Sequence, residues 1–157
     1  MTTQTANPSV ANTIAQHRLF KDLAPQNLAL LTEVTMLKEF AAGEIIFREG
    51  DRANRFYVIL DGEVALESVA KDRPPVLLQT ISRDDVLGWS WLFPPYYWHF
   101  DARATKPTKA IFFYGTWLRD NCERDHDFGY EMMKRISAVI IDRLQATRRK
   151  LAGAGAK

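Results

Sequence analysis

Cysteine and long apolar runs are both scarce in this sequence. Cys122 is the single cysteine among 157 residues, which excludes an intramolecular disulfide framework and a four-cysteine zinc or iron–sulfur site within one chain. The segment 1–16 lacks the basic and apolar regions of a signal peptide, and no stretch approaches the roughly 18–20 apolar residues of a membrane span. We therefore expect a cytoplasmic protein that does not cross a membrane.

An excess of charge of one sign is also lacking, since 21 basic residues face 19 acidic ones and the net charge is +2. This balance gives no overall electrostatic reason to bind nucleic acid or an anionic membrane. The three histidines, His17, His99 and His126, stand at no metal-ligand spacing from one another or from Cys122. Phosphate-cradling and nucleophile motifs are absent as well. The sequence thus predicts no metal, no cofactor and no enzymatic activity.

The spacing of the hydrophobic residues changes twice along the chain, from helical to strand-like and back to helical. Helix starts are predicted at Pro8 and Pro25, because proline favours the first helical position. From about Val34 to Phe113, β-branched and aromatic runs punctuated by glycine predict short strands. The Asp61-Gly62 pair between two such runs predicts a tight type I′ hairpin.

After these strands the helical period returns, and a long helix is predicted from Asp125 to Leu151. A helix of this length extends past a small barrel, so its outer part needs another surface, and a second copy of the chain is the simplest one. The alternative is that the apolar side of this helix packs wholly on the barrel of its own chain. The homodimer interpretation assigns four residues to the contact: Met133, Ile136, Ile140 and Leu144.

Together these patterns predict an α+β fold, in which an eight-stranded β-roll or jelly-roll barrel is flanked by short N-terminal helices and a long C-terminal helix. The expected organisation has three parts. A segment at 1–18 contains a short helix, a main domain at 19–151 includes the long helix, and a small Ala/Gly tail at 152–157 is disordered.

Three stretches carry a family resemblance: "AAGEIIFREGDRANRFYVILDGEVAL", "DVLGWSWLF" and "RLQATRRKL". Their order and their turn glycines resemble the cyclic-nucleotide-binding domain of the catabolite activator protein family, over roughly residues 19–151. The resemblance implies a sensor or regulatory domain that binds a cyclic nucleotide or another planar phosphate ligand. Family transcription factors continue into a helix-turn-helix domain, whereas this sequence ends soon after Lys150, so we expect no DNA binding by this chain alone.

In the family, a glycine opens a short helix whose N-terminus holds the cyclic phosphate, a glutamate accepts the ribose hydroxyl, and an arginine neutralises the phosphate. The resemblance places Gly88 at the opening glycine and "WSWLF" on the helix. Trp89 then stands at the glutamate position and His99 at the arginine position. Indole cannot accept a hydrogen bond, and imidazole is charged only when protonated, so cyclic AMP binding in the family manner is weakened.

The resemblance also implies a set of ligand-binding residues on two segments. One is the segment from Gly88 to Arg103, which we call the cassette, and the other is the long helix. Thr147 and Arg148 fall where the family's base-contacting residues lie. For Arg103 a salt bridge to Asp101 or a nearby glutamate is the competing interpretation. The predicted set is Gly88, Trp89, Ser90, Trp91, Leu92, His99, Phe100, Arg103, Thr147 and Arg148.

Aromatic residues are concentrated in this cassette, where seven of the 18 in the chain fall between Trp89 and Phe100. Three interpretations compete. The rings line a remodelled pocket with His99 or Arg103 as the cation, or they plug the old pocket, or the loop docks an unknown protein partner. The docking interpretation uses a loop of five residues: Pro94, Pro95, Tyr96, Tyr97 and Trp98.

Overall fold

Helices precede and follow an all-antiparallel pair of sheets in the computed structural model, which describes residues 8–155. The helices are α1 (Pro8–Gln16), α2 (Pro25–Glu33), α3 (Gly115–Arg124) and α4 (His126–Gly155). The strands are β1 (Thr35–Phe40), β2 (Ile45–Phe47), β3 (Arg55–Asp61), β4 (Val64–Ala70), β5 (Arg73–Ile81), β6 (Val86–Leu87), β7 (Asp101–Ala104) and β8 (Thr108–Tyr114). This architecture confirms the predicted α+β fold.

The eight strands form two four-stranded sheets, with orders β1-β8-β3-β6 and β2-β7-β4-β5. Every pair is antiparallel, and β8 lies between β1 and β3 over most of its length. Strand β4 likewise lies between β5 and β7. The two sheets face each other as a roll, with alternate side chains pointing inward.

The predicted type I′ hairpin at Asp61-Gly62 is wrong, because β3 and β4 belong to different sheets and do not pair. Gly62 instead turns the chain from one sheet to the other with φ of 113°. A Cβ at this position would lie 2.4 Å from the Thr108 side-chain oxygen. The glycine is therefore required by a close approach between the β3–β4 and β7–β8 connections.

The core has two clusters of buried side chains. One joins the helices to one sheet and includes Ile14, Leu31, Phe56 and Phe128. The other fills the space between the two sheets, with Ile59 at its centre. Since α1 contributes to the first cluster, the segment predicted at 1–18 packs on the same core as the roll from residue 10 onward; residues 1–7 lie outside the described part of the chain.

Helix α4 packs by its first half and is exposed along its second half. Phe128, Met132 and Ile136 are fully buried, whereas Ile141 and Leu144 are exposed. The placement of Ile136 in a dimer contact is therefore wrong, because its side chain is 0% exposed in the core of its own chain.

The helix also ends later than predicted. It runs to Gly155 rather than Leu151, since alanines at 152 and 154 sustain helical hydrogen bonding into the segment expected to be disordered. Residues 156–157 of that tail lie outside the described part of the chain. Among residues 8–155, no helix combines the length and the apolar character that crossing a membrane would require.

Candidate ligand-binding groove

The cassette after Gly88 contains turns but no helix, so the short helix predicted for "WSWLF" is wrong. Two single turns replace it, in which Leu92 N–H donates to Trp89 O (3.1 Å) and Phe93 N–H to Ser90 O (3.3 Å). A five-residue segment gains too few hydrogen bonds to offset helix nucleation, and Pro94 disfavours the helical conformation for the residue before it. The helix N-terminus that the resemblance implies as the phosphate site is therefore not formed in this segment.

Trp91 belongs to the core and not to an open pocket. Its side chain is 0% exposed, and its ring stacks on Phe56 at a centroid distance of 5.0 Å. Gly115 makes room for it, because a Cβ there would lie 2.9 Å from the Trp91 side chain. The neighbouring cassette residues Ser90 and Leu92 are buried as well.

Trp98 is packed in the same way inside the roll. It is 1% exposed and stacks on Phe47 at 3.8 Å, with the rings nearly parallel. Gly88 lies directly beneath it with φ of 94°, and a Cβ there would come within 2.8 Å of the indole ring. The prediction that Trp98 is an exposed anchor for a partner is wrong, because the ring is buried against Gly88.

The two cations predicted for a ligand phosphate lie elsewhere. Arg103 on β7 forms a forked pair with Glu67 on β4, at 3.0 Å and 3.1 Å, as the salt-bridge interpretation expected. These hydrogen bonds raise the pKa of Arg103 above its usual range. His99 is exposed on the loop before β7. Neither residue lines the groove that lies between the roll and α4.

This groove has a volume of about 350 Å³ and is lined by residues from both ends of the cassette and from α4. Trp89 and Phe100 are only partly buried there and meet edge to face at 6.1 Å. The groove brings together three of the predicted ligand-binding residues, Trp89, Phe100 and Thr147, but not Arg148. Its complete lining is Leu66, Leu78, Gln79, Trp89, Phe100, Ile140, Arg143, Leu144 and Thr147.

Arg143 and Gln79 line the groove although neither was predicted as a ligand-binding residue. The Arg143 guanidinium lies 5.8 Å from the Trp89 ring centroid and donates to Gln79 Oε1 at 3.3 Å and to the Val86 carbonyl. Burial lowers the pKa of Arg143, while the nearby carboxylate of Asp85 opposes that shift. The sequence did contain an indication that Arg143 is buried, because it falls three residues after Ile140 and therefore on the apolar side of the helix.

Thr147 faces the groove one helical turn after Arg143. Its hydroxyl donates to the Arg143 carbonyl at 3.0 Å, so its lone pairs are the groups left for a ligand. Arg148 is exposed and donates to Gln145 Oε1 at 3.3 Å. The groove therefore has aromatic and aliphatic walls and three polar side chains, from Gln79, Arg143 and Thr147.

The described residues hold no group of three or more metal-ligating side chains that could bind an ion. The buried Cys122 thiol has its pKa raised to about 11, mainly by burial and further by Glu123 and Asp125. A thiol with that pKa is protonated and a poor nucleophile at neutral pH. Cys122 does not belong to the lining of the groove.

Comparison with known proteins identifies the family of the chain. The chain matches the family model described as the cyclic nucleotide-binding domain over residues 37–125, which is more than half of the 157 residues. The chain therefore belongs to the cyclic nucleotide-binding domain family, a family of regulatory domains that are generally non-catalytic.

One curated relative matches about half of the chain. The CRP-like cAMP-activated global transcriptional regulator of Mycobacterium tuberculosis (strain CDC 1551 / Oshkosh) is 29% identical over 82 residues, which are 52% of this chain and 37% of that protein. The chain thus aligns with little more than a third of this curated relative.

Two solved structures share the fold. A protein from Geobacter metallireducens GS-15 that carries the description cyclic nucleotide-binding protein is similar with a TM-score of 0.78 and 27% identity, over 85% of this chain and 97% of that one. The sensor domain of the transcriptional regulator DNR from Pseudomonas aeruginosa has a TM-score of 0.67 and 19% identity, over 82% and 91% of the two chains. The chain thus shares the fold of these proteins, and it resembles CRP-family regulators.

Proposed function

We propose that the chain is a regulatory domain that binds a planar, nucleotide-like ligand in the groove between the roll and α4 and signals through α4. The observation that carries this proposal is the origin of the groove walls. Trp89 and Phe100 come from the cassette, and Arg143 and Thr147 come from the long helix. A ligand in the groove contacts both elements at once, so its binding free energy depends on how they are placed.

The walls suit a planar ring. Trp89 offers a partly exposed indole face, and Phe100 meets it edge to face, with the ring planes at 68° to each other. Aromatic faces of this kind attract flat rings by offset stacking. A volume of about 350 Å³ lies within the range of small-molecule pockets, roughly 300–1,000 Å³.

The cation for an anionic ligand is Arg143 in this proposal. Arg103 is engaged by Glu67 through both of its forked N–H groups, whereas Arg143 has only a neutral amide and a carbonyl as hydrogen-bond partners. A guanidinium bound to neutral acceptors keeps its full charge for a ligand anion. The curated relative is described as cAMP-activated, which makes cyclic nucleotides the first ligand class to test.

Arg143 also supplies the route by which a ligand would act on α4. Its side chain joins the helix to β5 through Gln79 and to β6 through Val86. A ligand anion that draws the guanidinium away from these acceptors would loosen one attachment of the helix and replace it with another. The outer half of α4 would then change its packing, which is the signal that a partner reads.

The test is calorimetric titration of the protein with cyclic AMP and cyclic GMP, alongside a thermal-shift measurement. We expect saturable binding by one of them with a matching rise in melting temperature. Trp89→Ala should abolish nucleotide binding. Trp117→Ala should bind like the wild type, because Trp117 is a half-buried tryptophan on α3 outside the groove. Absence of binding with both nucleotides, or equal binding by the two variants, would reject the groove as a cyclic-nucleotide site.

A second candidate function is a ligand-free interaction module. It is favoured by the burial of Trp91 and Trp98, which fill the interior that an open cassette would leave. The docking surface would be the exposed part of the predicted loop: Pro94, Pro95 and Tyr97. A Tyr97→Ala variant that loses a protein partner while the Trp89→Ala variant retains it would support this function over ligand sensing.

A homodimer through α4 forms part of the main proposal. Four exposed apolar residues recur at spacings of eight, three and seven, which places them on one side of the helix: Met133, Ile141, Leu144 and Leu151. Ile141→Glu should shift the mass in solution from dimer to monomer, since it places a charge in the contact. Arg149→Glu, on the opposite side of α4, serves as the matched control. A single unchanged mass for all three proteins would contradict the dimer.

The cytoplasmic location stays a prediction. Any coupling to transcription, as in the curated relative, is also a proposal, because only 37% of that protein is aligned.

A further inference from the structure

A second cavity lies where the Pro-rich loop meets the start of α3. Its volume is about 310 Å³, and it shares no lining residue with the roll–α4 groove. Three tyrosines from the loop and from the end of β8 contribute to its walls, together with two arginines and an asparagine. We call this cavity the arginine–tyrosine pocket and define it by Arg52, Asn54, Tyr96, Tyr97, Tyr114 and Arg119.

The charge of the pocket is positive. Its lining includes two guanidinium groups and no carboxylate, and neither arginine forms an ion pair within residues 8–155. Arg52 is exposed. Arg119 donates one N–H to the Trp91 carbonyl at 2.8 Å and lies 3.8 Å above the Tyr96 ring, which leaves further N–H groups.

The lining of the cavity offers many hydrogen-bond donors. The side-chain oxygen of Asn54 accepts one hydrogen bond from Arg55 at 2.9 Å, and the amide of Asn54 adds two N–H donors. The phenol groups of the tyrosines can donate as well. A lining rich in donors and cations matches an anion rather than a cation or a neutral ring.

The pocket is held in shape by backbone hydrogen bonds between the loop and residues 50–53. Ala53 N–H donates to Tyr96 O at 2.8 Å, and Trp98 N–H donates to Asp51 O at 3.0 Å. Tyr96 has a left-handed conformation with φ of 63°, which is costly for a bulky residue and persists only where its surroundings fix it. Binding therefore requires little ordering of the loop.

We infer that the arginine–tyrosine pocket binds a phosphate monoester that carries a planar ring, as a site separate from the ligand groove. Arg52 and Arg119 would hold the phosphate, because forked guanidinium donors fit its oxygens. The tyrosine rings would cover the ring of the ligand. This function goes beyond the proposed sensing of a ligand in the groove, since it uses neither Trp89 nor Arg143.

The experiment is calorimetric titration of the full chain with phenyl phosphate at low salt. We expect saturable binding at one site per chain, weakened about tenfold or more in Arg52→Gln because a charge-assisted hydrogen bond is lost. Arg52→Lys, which keeps the charge but loses the fork, should fall between the two. Arg124→Gln removes the same charge at the opposite end of α3 and should bind within about twofold of the wild type, as expected for a screened surface charge.

Three results would overturn the inference. One is no saturable binding at millimolar phenyl phosphate. Another is equal weakening by Arg52→Gln and Arg124→Gln, which would show attraction to net charge only. The third is loss of binding in Trp89→Ala with retention in Arg52→Gln, which would place phenyl phosphate in the roll–α4 groove. None of these results depends on cyclic nucleotide binding, so the proposed function and this inference can fail separately.

Discussion

Trp91 and Trp98 differ from Trp89 in their burial and in the side chains around them. The first two are at most 1% exposed, each stacked on a phenylalanine and each seated against a glycine that leaves no space for a Cβ. Trp89 is partly exposed and lines a groove beside Arg143. Within ten residues, the same side chain thus serves the core twice and a candidate site once.

The difference teaches that aromatic density alone does not indicate a ligand pocket. What separates Trp89 from the other two is the set of side chains around it. Its neighbours in the groove include the polar side chains of Gln79, Arg143 and Thr147, whereas Trp91 and Trp98 pack on phenylalanine rings and glycines. Among residues 8–155, the indole N–H groups of Trp91 and Trp98 have no hydrogen-bond partner. A fully buried ring that stacks on another aromatic ring is typical of a packing role, and its removal is expected to lower the stability of the fold.

The largest expected effect is on folding stability. Trp91→Ala and Trp98→Ala should each lower the free energy of unfolding by about 3–5 kcal/mol, because each leaves a cavity in a packed core. Trp89→Ala should lower it by only about 1 kcal/mol, since its side chain is partly exposed. Urea unfolding of the three variants measures the difference. Equal losses in all three would remove the distinction between core and groove tryptophans.

A smaller effect is expected from the glycine beneath Trp98. Gly88→Ala should cost about 1–3 kcal/mol more than Gly43→Ala, because the two glycines have similar φ values of 94° and 90° but only at Gly88 would an added Cβ meet a neighbour, the Trp98 ring, within 3 Å. Gly43 therefore serves as the control for backbone strain alone. Thermal unfolding compares the pair, and an equal cost at both positions would mean that Trp98 does not press on Gly88.

A related contrast separates buried His17 from exposed His126. His17 accepts the Leu19 N–H at Nδ1 (3.0 Å) and donates from Nε2 to Asp84 O (2.6 Å), and burial lowers its pKa. A lowered pKa means that the folded state disfavours the charged form. The stability that neutral His17 contributes is therefore present above about pH 6.5 and is lost as pH falls below it.

The measurement is the free energy of unfolding from pH 7.5 to pH 5. The wild type and His126→Gln should lose more stability over this interval than His17→Gln, which has no imidazole to protonate. Parallel curves for the wild type and His17→Gln would show that His17 does not account for the loss.

The smallest effect is expected at His99. Because His99 is exposed and does not line the groove, His99→Gln should change the affinity for a cyclic nucleotide by less than about twofold at pH 6 and at pH 8. Isothermal titration at both pH values measures it. A large loss confined to pH 6 would instead support the cassette role that the family resemblance implies for His99.

Much of the fold could be predicted from the sequence because it depends on local signals. Pro25 occupies the first turn of α2 as predicted, and the strands lie between Val34 and Tyr114. The Asp61-Gly62 hairpin was wrong because its outcome is not decided locally. Which sheet a strand joins depends on pairing with distant β7 and β8, and the local turn pattern contains no information about that choice.

The candidate site was less predictable, for a similar reason. Trp89 and Thr147 could be assigned through the family resemblance, and both line the groove. The short helix after Gly88 was predicted by the same alignment, yet this short segment before Pro94 forms turns instead. Arg143 was overlooked because a cation on a helix is usually solvated, and its burial depends on contacts with β5 and β6.

The most direct test of the comparison between the tryptophans is a nuclear magnetic resonance titration of the indole N–H signals, assigned with single Trp→Phe variants. On addition of the cyclic nucleotide that binds, the Trp89 signal should shift in a saturable way, while the Trp91 and Trp98 signals should stay in place and exchange slowly with solvent. Shifts of Trp91 or Trp98 with an unchanged Trp89 would contradict the account, because the ligand would then enter the core side of the cassette.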